Sequence, residues 1–444
     1  MSDPDRVCVI GQVLLDVMQG PDSVTRLGGI IHTARTLCAI QSPYCIGYFA
    51  PEYLDKDIQR YCKEWGGASA VKVGNTTGSP NLIIVPNPKE TSSKQYELID
   101  YEKQRIDYDG TSLRRVLADS NISDIIILPD RFPLRETLVA CGETKARVYA
   151  DINFGPDDLS ELEALGRKFE TIIISTSGMQ FSRRYEGSAD VLCRKLFPYC
   201  ETVLLKENRG GARLFGPRTP NSVITVPAQV RPILHSVGVG DCFNAVFAVG
   251  RRQFGDRPAL NYASSIAAEY ASFIHPEEIQ QAVASVLSIP PTEMAELSGV
   301  SLPWEKRPAI NIYIAAPDLD WVDRGPIEEV KEALEYHNFT PRFPVRENGQ
   351  MRTEDPPELK SQIAWADLTM LDDCKLLLAV LLYDDPGTLI EIGLALERQM
   401  PVLVYDPYGR ATNLMLTQLP SVVSADLDVI IAGVFTNAWR ALNA

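Results

Sequence analysis

The stretch from Leu376 to Gly393 constrains the chain most. It reads Leu-Leu-Leu-Ala-Val-Leu-Leu-Tyr-Asp-Asp-Pro-Gly-Thr-Leu-Ile-Glu-Ile-Gly. An apolar run of strand length ends in Asp384 and Asp385, passes a Pro386-Gly387 turn and enters a helix that carries Glu391. In an open α/β sheet, ligands sit outside the carboxyl ends of the strands. The stretch therefore aims Asp385 and Glu391 at the place where such a fold keeps its chemistry. Taken alone, Thr388-Leu-Ile-Glu391 also reads as a capping box, with Thr388 capping the helix and Glu391 reaching back.

The surrounding pattern is α/β throughout. Arg6–Gly11, Asp124–Leu128, Arg147–Ile152, Thr171–Ser175 and Thr202–Leu205 read as strands. Ile30–Ile40, Leu134–Cys141 and Asp158–Lys168 read as helices between them, and 86–110 reads as polar loop. Such alternation predicts a largely parallel sheet covered by helices. Long helices follow from Ser236 to about Val286. Residues 287–308 are proline-rich and break the periodicity, which sets a domain boundary. The domains expected are 1–290, a linker at 291–308, and 309–444. In the last, Ile310–Ala316 is a strand, Pro326–His337 an amphipathic helix, and Lys375–Leu382 and Met400–Tyr405 further strands.

At 444 residues there is material for two cores, taking roughly 100–200 residues per domain. The net charge of −15 argues against a general nucleic-acid or anionic-membrane surface. Nine scattered cysteines without a C-x-x-C pair read as small core residues in a reducing, cytoplasmic setting. The start of the chain shows no signal-peptide pattern, and no apolar run reaches ~18 residues. Four histidines, His32, His235, His275 and His337, lie far apart, so no histidine-rich metal site is expected.

Four motifs in register within 310–444 resemble the nucleoside 2-deoxyribosyltransferase family. They are Ile312-Tyr313-Ile-Ala, Asp367-Leu368, Asp385-Pro-Gly387-Thr-Leu-Ile-Glu391 and Asn413-Leu-Met415. The resemblance implies a small doubly wound, flavodoxin-like domain in which Glu391 attacks the anomeric carbon to give a glycosyl-enzyme. The oxocarbenium-like transition state favours a carboxylate beside the ring. Asp385 or Asp367 would protonate the leaving base, and Tyr313 would hold the Glu391 carboxylate. Gly387, Asn413 and Met415 would contact substrate, the last two from a neighbouring subunit, which implies a homo-oligomer. The loop Pro317-Asp318-Leu-Asp320-Trp321 is acidic and repels phosphate, so an uncharged nucleoside is favoured over a nucleotide. Trp321 and Trp365 read either as core residues or as platforms for a base.

The stretch His235-Ser-Val-Gly238-Val239-Gly240-Asp241-Cys-Phe-Asn244 opens a helix. Free N–H groups at such a start attract phosphate. It resembles the second signature of the PfkB (ribokinase-like) carbohydrate and nucleoside kinases. Supporting matches are Gly11-x4-Asp16, Gly28-Gly29, Thr77-Gly78, Asp151-Ile-Asn153 and Gly210-Gly211-Ala212. The resemblance implies ATP and Mg2+ as cofactors and Asp241 as general base. Gly238, Val239 and Gly240 would form the anion hole, and Asp16, Gly28 and Gly29 would touch the sugar or nucleoside. His235 stands where the family has Asp, and Thr33 where it has Asn. Where an Asn-x-x-Glu motif helps to organise Mg2+, this chain reads Ser175-Thr-Ser-Gly-Met-Gln180. Two expectations follow: a nucleoside-cleaving or -transferring enzyme coupled to a kinase, or the same enzyme with an inactive N-terminal sensor or scaffold.

Overall fold

The computed structural model describes residues 5–19, 23–89, 91, 96–216, 223–274 and 276–443. His275 lies outside them. The chain forms two compact units that part between Ser301 and Leu302. A short helix, Pro291–Ala295, and a 3-10 helix, Trp304–Ala309, occupy the proline-rich stretch.

The first unit is built on a ten-stranded sheet. From edge to edge its strands are Val223–Val226, Ala212–Phe215, Cys200–Lys206, Phe169–Ser175, Arg147–Asp151, Ile122–Ile127, Arg6–Gln12, Tyr44–Ala50, Ala70–Thr77 and Arg105–Tyr108. The central strands run parallel, and the edges close with antiparallel pairs. On one face, Val7, Val9, Ile126, Tyr149, Ile173 and Leu204 share a core with the helices Ile30–Ala39, Val239–Phe254 and Asp256–Tyr270. The strand order reverses at Arg6–Gln12, so the crevice of a parallel sheet opens above that strand. A separate four-stranded sheet, Val24–Leu27, Leu15–Met18, Leu82–Val85 and Glu97–Leu98, carries Asp16.

Two local expectations change. The segment 86–110 includes the strands Glu97–Leu98 and Arg105–Tyr108, whose polar outward residues hide the alternation. The helix expected over 158–168 is a 3-10 helix, Leu159–Leu165, capped by Asp158 and ended by Gly166 in the left-handed region.

The second unit holds five parallel strands in the order Thr340–Arg342, Asn311–Ala315, Leu376–Val380, Val402–Tyr405 and Val422–Ser424. Counted from the start of the unit this is the doubly wound order 2-1-3-4-5, with its switch point between Asn311–Ala315 and its neighbours. Leu376–Val380 is buried along its whole length, as a strand covered on both faces must be. Among the described residues no helix is long and apolar enough to cross a membrane.

Candidate functional site

In the second unit the chain leaves Leu376–Val380 and reaches Asp385, whose φ of −80° and ψ of 117° lie outside the helix. Its Oδ2 accepts the Thr388 N–H at 2.7 Å and the Thr388 hydroxyl at 2.8 Å. Asp385 therefore caps the helix Pro386–Glu397, with Pro386 in the first turn. The expected cap by Thr388 is corrected: Thr388 donates to the cap, and Glu391 does not fold back onto it. Gly387 sits in this first turn, where an added Cβ would lie 3.1 Å from Asp385 Oδ2.

Freed from capping, the Glu391 carboxylate accepts a 2.6 Å hydrogen bond from the Tyr313 hydroxyl at Oε1. Burial pushes the Glu391 carboxyl up to about 7. The Tyr313 bond works against this rise, and the charges of Asp367 and Asp385 add to it. Burial and the same carboxylate hold the Tyr313 phenol well above its ordinary range, so it remains a donor. Asp367 projects from the helix Pro357–Asp372 and accepts the Asn348 amide at 2.8 Å. Burial raises its pKa, and the Asn348 bond opposes that. The structure thus brings Tyr313, Glu391, Asp367 and Asp385 into one electrostatic neighbourhood. Asn348 is a member that the sequence, Arg-Glu-Asn-Gly, did not signal.

Asn413 caps the short helix Leu414–Gln418 through the Met415 N–H at 2.8 Å. Met415 is 61% exposed, and among the described contacts neither residue touches the Tyr313–Glu391 pair. Trp321 and Trp365 are not core residues: they are 73% and 69% exposed. The loop at 317–321 is not a bare acidic surface either. Buried Asp318 pairs with Arg324 and Arg346, and Asp320 pairs with Arg324 at 2.9 Å. Arg346 also pairs with Glu328 at 2.6 Å, so two arginines serve three acids and the cluster keeps one negative charge.

In the first unit the helix Val239–Phe254 starts at Gly238, which has a φ of +77° and no capping side chain. A Cβ on Gly238 would lie 2.3 Å from the His32 ring, so both the backbone and the space demand glycine. Gly238→Ala is expected to destabilise this unit by at least about 1–2 kcal/mol from the left-handed backbone alone. A urea midpoint that does not move would contradict this packing.

Asp241, in the first turn, is half-buried. Burial pushes its carboxyl up to about 7, the Asp151 charge adds to this, and Lys206 opposes it. That value suits a general base near neutral pH. Gly240 lies beside Lys206, which bonds Asp151 at 2.8 Å.

Asp16 and Gly28 meet closely, since a Cβ on Gly28 would fall 2.1 Å from Asp16 Oδ1. Gly29, with φ +60°, starts the next helix. Asp16 is only 1% exposed, however, and its Oδ2 is taken by His32 Nε2 at 2.9 Å. Burial pushes His32 down to about 4, so the imidazole is neutral. The neutral ring has one N–H, which Nε2 gives to Asp16, so Nδ1 accepts from the Tyr270 hydroxyl at 2.7 Å, and the Tyr270 oxygen accepts from Arg35 at 3.0 Å. His235 is also buried and bonds the Phe273 carbonyl at 2.6 Å. His32, Lys206 and Tyr270 escaped the sequence reading because each lies far along the chain from the motif it supports.

Among the described residues no group of three His, Cys, Asp or Glu is placed to hold a metal ion. Asp151 Oδ2 serves Lys206 and Asn244, and its Oδ1 accepts the Asn153 N–H. With no carboxylate in 175–180, these residues do not fit Mg2+. No side chain caps the N–H groups at Gly238–Gly240, and of these the Val239 N–H donates to the Ser236 carbonyl at 3.3 Å.

No curated protein matches the chain in sequence. Solved structures similar to its N-terminal part include three kinases. Ribokinase from Arabidopsis thaliana, complexed with ribose and ATP, is 14% identical over 65% of this chain and 100% of its own, with a TM-score of 0.47. Ribokinase from Thermotoga maritima is 17% identical over 64% and 99%, with a TM-score of 0.45. Fructokinase from Vibrio cholerae, bound to fructose, ADP and calcium, is 12% identical over 64% and 98%, with a TM-score of 0.48. Residues 312–425, which contain Tyr313, Asp367, Asp385, Glu391, Asn413 and Met415, match the family model of the nucleoside 2-deoxyribosyltransferases.

Proposed function

We propose that the second unit cleaves or exchanges the N-glycosidic bond of a nucleoside, with Glu391 as nucleophile. The observation that carries this reading is the 2.6 Å bond from Tyr313 to Glu391, beside two further carboxylates. In this reading one Glu391 oxygen is held by Tyr313 and the other attacks the anomeric carbon as the bond to the base breaks. The base leaves with a proton. Asp367 is the better donor, because burial favours its protonated form and Asp385 Oδ2 is committed to the helix cap. Water or a second base then takes the sugar from Glu391. Asn413 and Met415 are assigned to the 5′ end of a sugar held by a neighbouring copy, and the exposure of Leu414 and Met415 supports that.

Only the ionised Glu391 can attack, so the rate should rise with pH through about 7. Tyr313→Phe removes a bond that favours the ionised form, so this limb should move to higher pH. An unmoved limb in a pH–rate series of kcat/KM would count against Tyr313 as the positioning group.

For the first unit we propose phosphoryl transfer to the released sugar or to a nucleoside. When bound, ATP would supply the phosphoryl group. The Gly238, Val239 and Gly240 N–H groups would hold it, the Val239 N–H leaving its 3.3 Å bond to the Ser236 carbonyl, and Asp241 would accept the proton of the attacking hydroxyl. A second reading, an inactive N-terminal scaffold, is favoured by one observation: Asp16 is buried and already bonded to His32. Chromatography of nucleosides and their 5′-monophosphates, with and without a second free base and ATP, tests all of this. New nucleoside means transfer, free base alone means hydrolysis, and no change in any substrate would sink the proposal.

A further inference from the structure

Lys206 has no role in the chemistry above. It ends the strand Cys200–Lys206 after an apolar run and is 7% exposed. An ammonium buried to that degree has to be paired. Its Nζ donates to Asp151 Oδ2 at 2.8 Å, to Asn244 Oδ1 at 3.0 Å and to the Gly240 carbonyl at 3.3 Å. These three partners use its three hydrogens. Asn244 Nδ2 also donates to Asp151 Oδ2 at 2.6 Å, so two strand ends and the helix Val239–Phe254 are tied together. A Cβ built on Gly240 would lie 3.0 Å from Nζ, so nothing stands between the ammonium and the glycine turn.

The adjoining strand end adds hydroxyls rather than acids. The Thr176 N–H donates to the Lys206 carbonyl at 2.9 Å, and the Ser175 and Ser177 hydroxyls are 2.7 Å apart. Thr176 is 6% exposed, and its buried Oγ1 has no partner among the described residues. Charge can be counted directly. Asp151 is paired with Lys206, Asp16, whose charge also reaches Asp241, has Arg26 at 3.9 Å, and Asp241 is the carboxylate in the glycine turn itself. Among the described residues no group of three His, Cys, Asp or Glu gathers there to draw in a divalent ion. The Lys206–Asp151 pair is neutral as a whole, and its positive end is the one that bonds the glycine turn, at the Gly240 carbonyl.

We propose that Lys206 is the resident cation of this site, a positioning residue that holds Asp151, Asn244 and the glycine turn so that a phosphate-bearing anion binds at Gly238–Asp241 without a divalent metal ion. This rests on reading the first unit as a phosphoryl-transfer domain. Lys206 lowers the Asp241 pKa against the larger rises from burial and from Asp151, so its charge is felt at the turn.

Calorimetric titration of the full-length chain with ADP, in EDTA and in excess Mg2+, tests it. Wild-type affinity in EDTA is expected to stay within about threefold of that in Mg2+, and Lys206→Met to lose at least about tenfold in EDTA. Lys206→Arg keeps the charge and is expected to retain binding in EDTA. If wild type binds ADP only with Mg2+, or if Lys206→Met binds in EDTA as wild type does, the proposal is overturned. Should Lys206→Met fail to fold, the wild-type comparison and Lys206→Arg still decide. ADP bound in EDTA without transfer to any sugar or nucleoside would overturn the kinase reading and leave the Lys206 assignment standing. No ADP binding under either condition overturns both.

Discussion

Glu391→Ala is expected to lower base release from a nucleoside by on the order of 10⁴-fold or more, with little change in KM. The size follows from what is lost. The carboxylate both forms the bond to the sugar and balances the charge of its transition state. The helix itself should tolerate the change, because Asp385 and Thr388 make the cap and alanine is a good helix former. The variant does leave the buried Tyr313 hydroxyl without its acceptor, at about 1–3 kcal/mol. Glu391→Gln keeps an acceptor for Tyr313 and separates that stability loss from the loss of a nucleophile. Both variants are followed by chromatography of free base under single-turnover conditions. If either retains base release within tenfold of wild type, the glycosyl-enzyme mechanism fails.

The second large effect concerns the other unit. Asp241→Asn is expected to reduce ATP-dependent phosphorylation by about 10²–10⁴-fold, the usual range for a general base. Base release should not change, because Asp241 and Glu391 belong to separate compact units. Wild-type transfer should rise with pH through about 7, because burial holds Asp241 protonated below that and only the carboxylate can accept a proton. The isosteric amide cannot titrate, so the limb should vanish along with the rate. Radiolabel transfer from ATP measures both. A wild type that transfers phosphate to no sugar or nucleoside would instead favour the inactive scaffold.

The second unit was more legible in the sequence than the first. Its site is spread over short motifs at strand ends, and strands of buried apolar residues such as Leu376–Val380 announce themselves. The sequence could not reveal which acid caps the helix. Asp385 and Thr388 both have capping side chains, and only the backbone geometry at Asp385 decides between them. In the first unit the glycine turn at Gly238 was visible, but its wall was not. His32 fills the space that Gly238 leaves, and Lys206 lies beside Gly240. Both contacts join residues far apart in the chain, and no local spacing records them. The acidic loop shows the opposite failure. Asp318 looks unpaired as a letter in a sequence, yet it bonds Arg346 from a later helix.

The Tyr313–Glu391 bond joins residues 78 positions apart, one on a central strand and one on a helix. Local structure cannot form it. The strand pairing of Asn311–Ala315 with Leu376–Val380 and the docking of Pro386–Glu397 must both be complete first. Glycosidic activity is therefore a reporter of long-range order. In a refolding experiment it should return only with the slow, non-local phase that assembles the parallel sheet, after helical signal has already recovered.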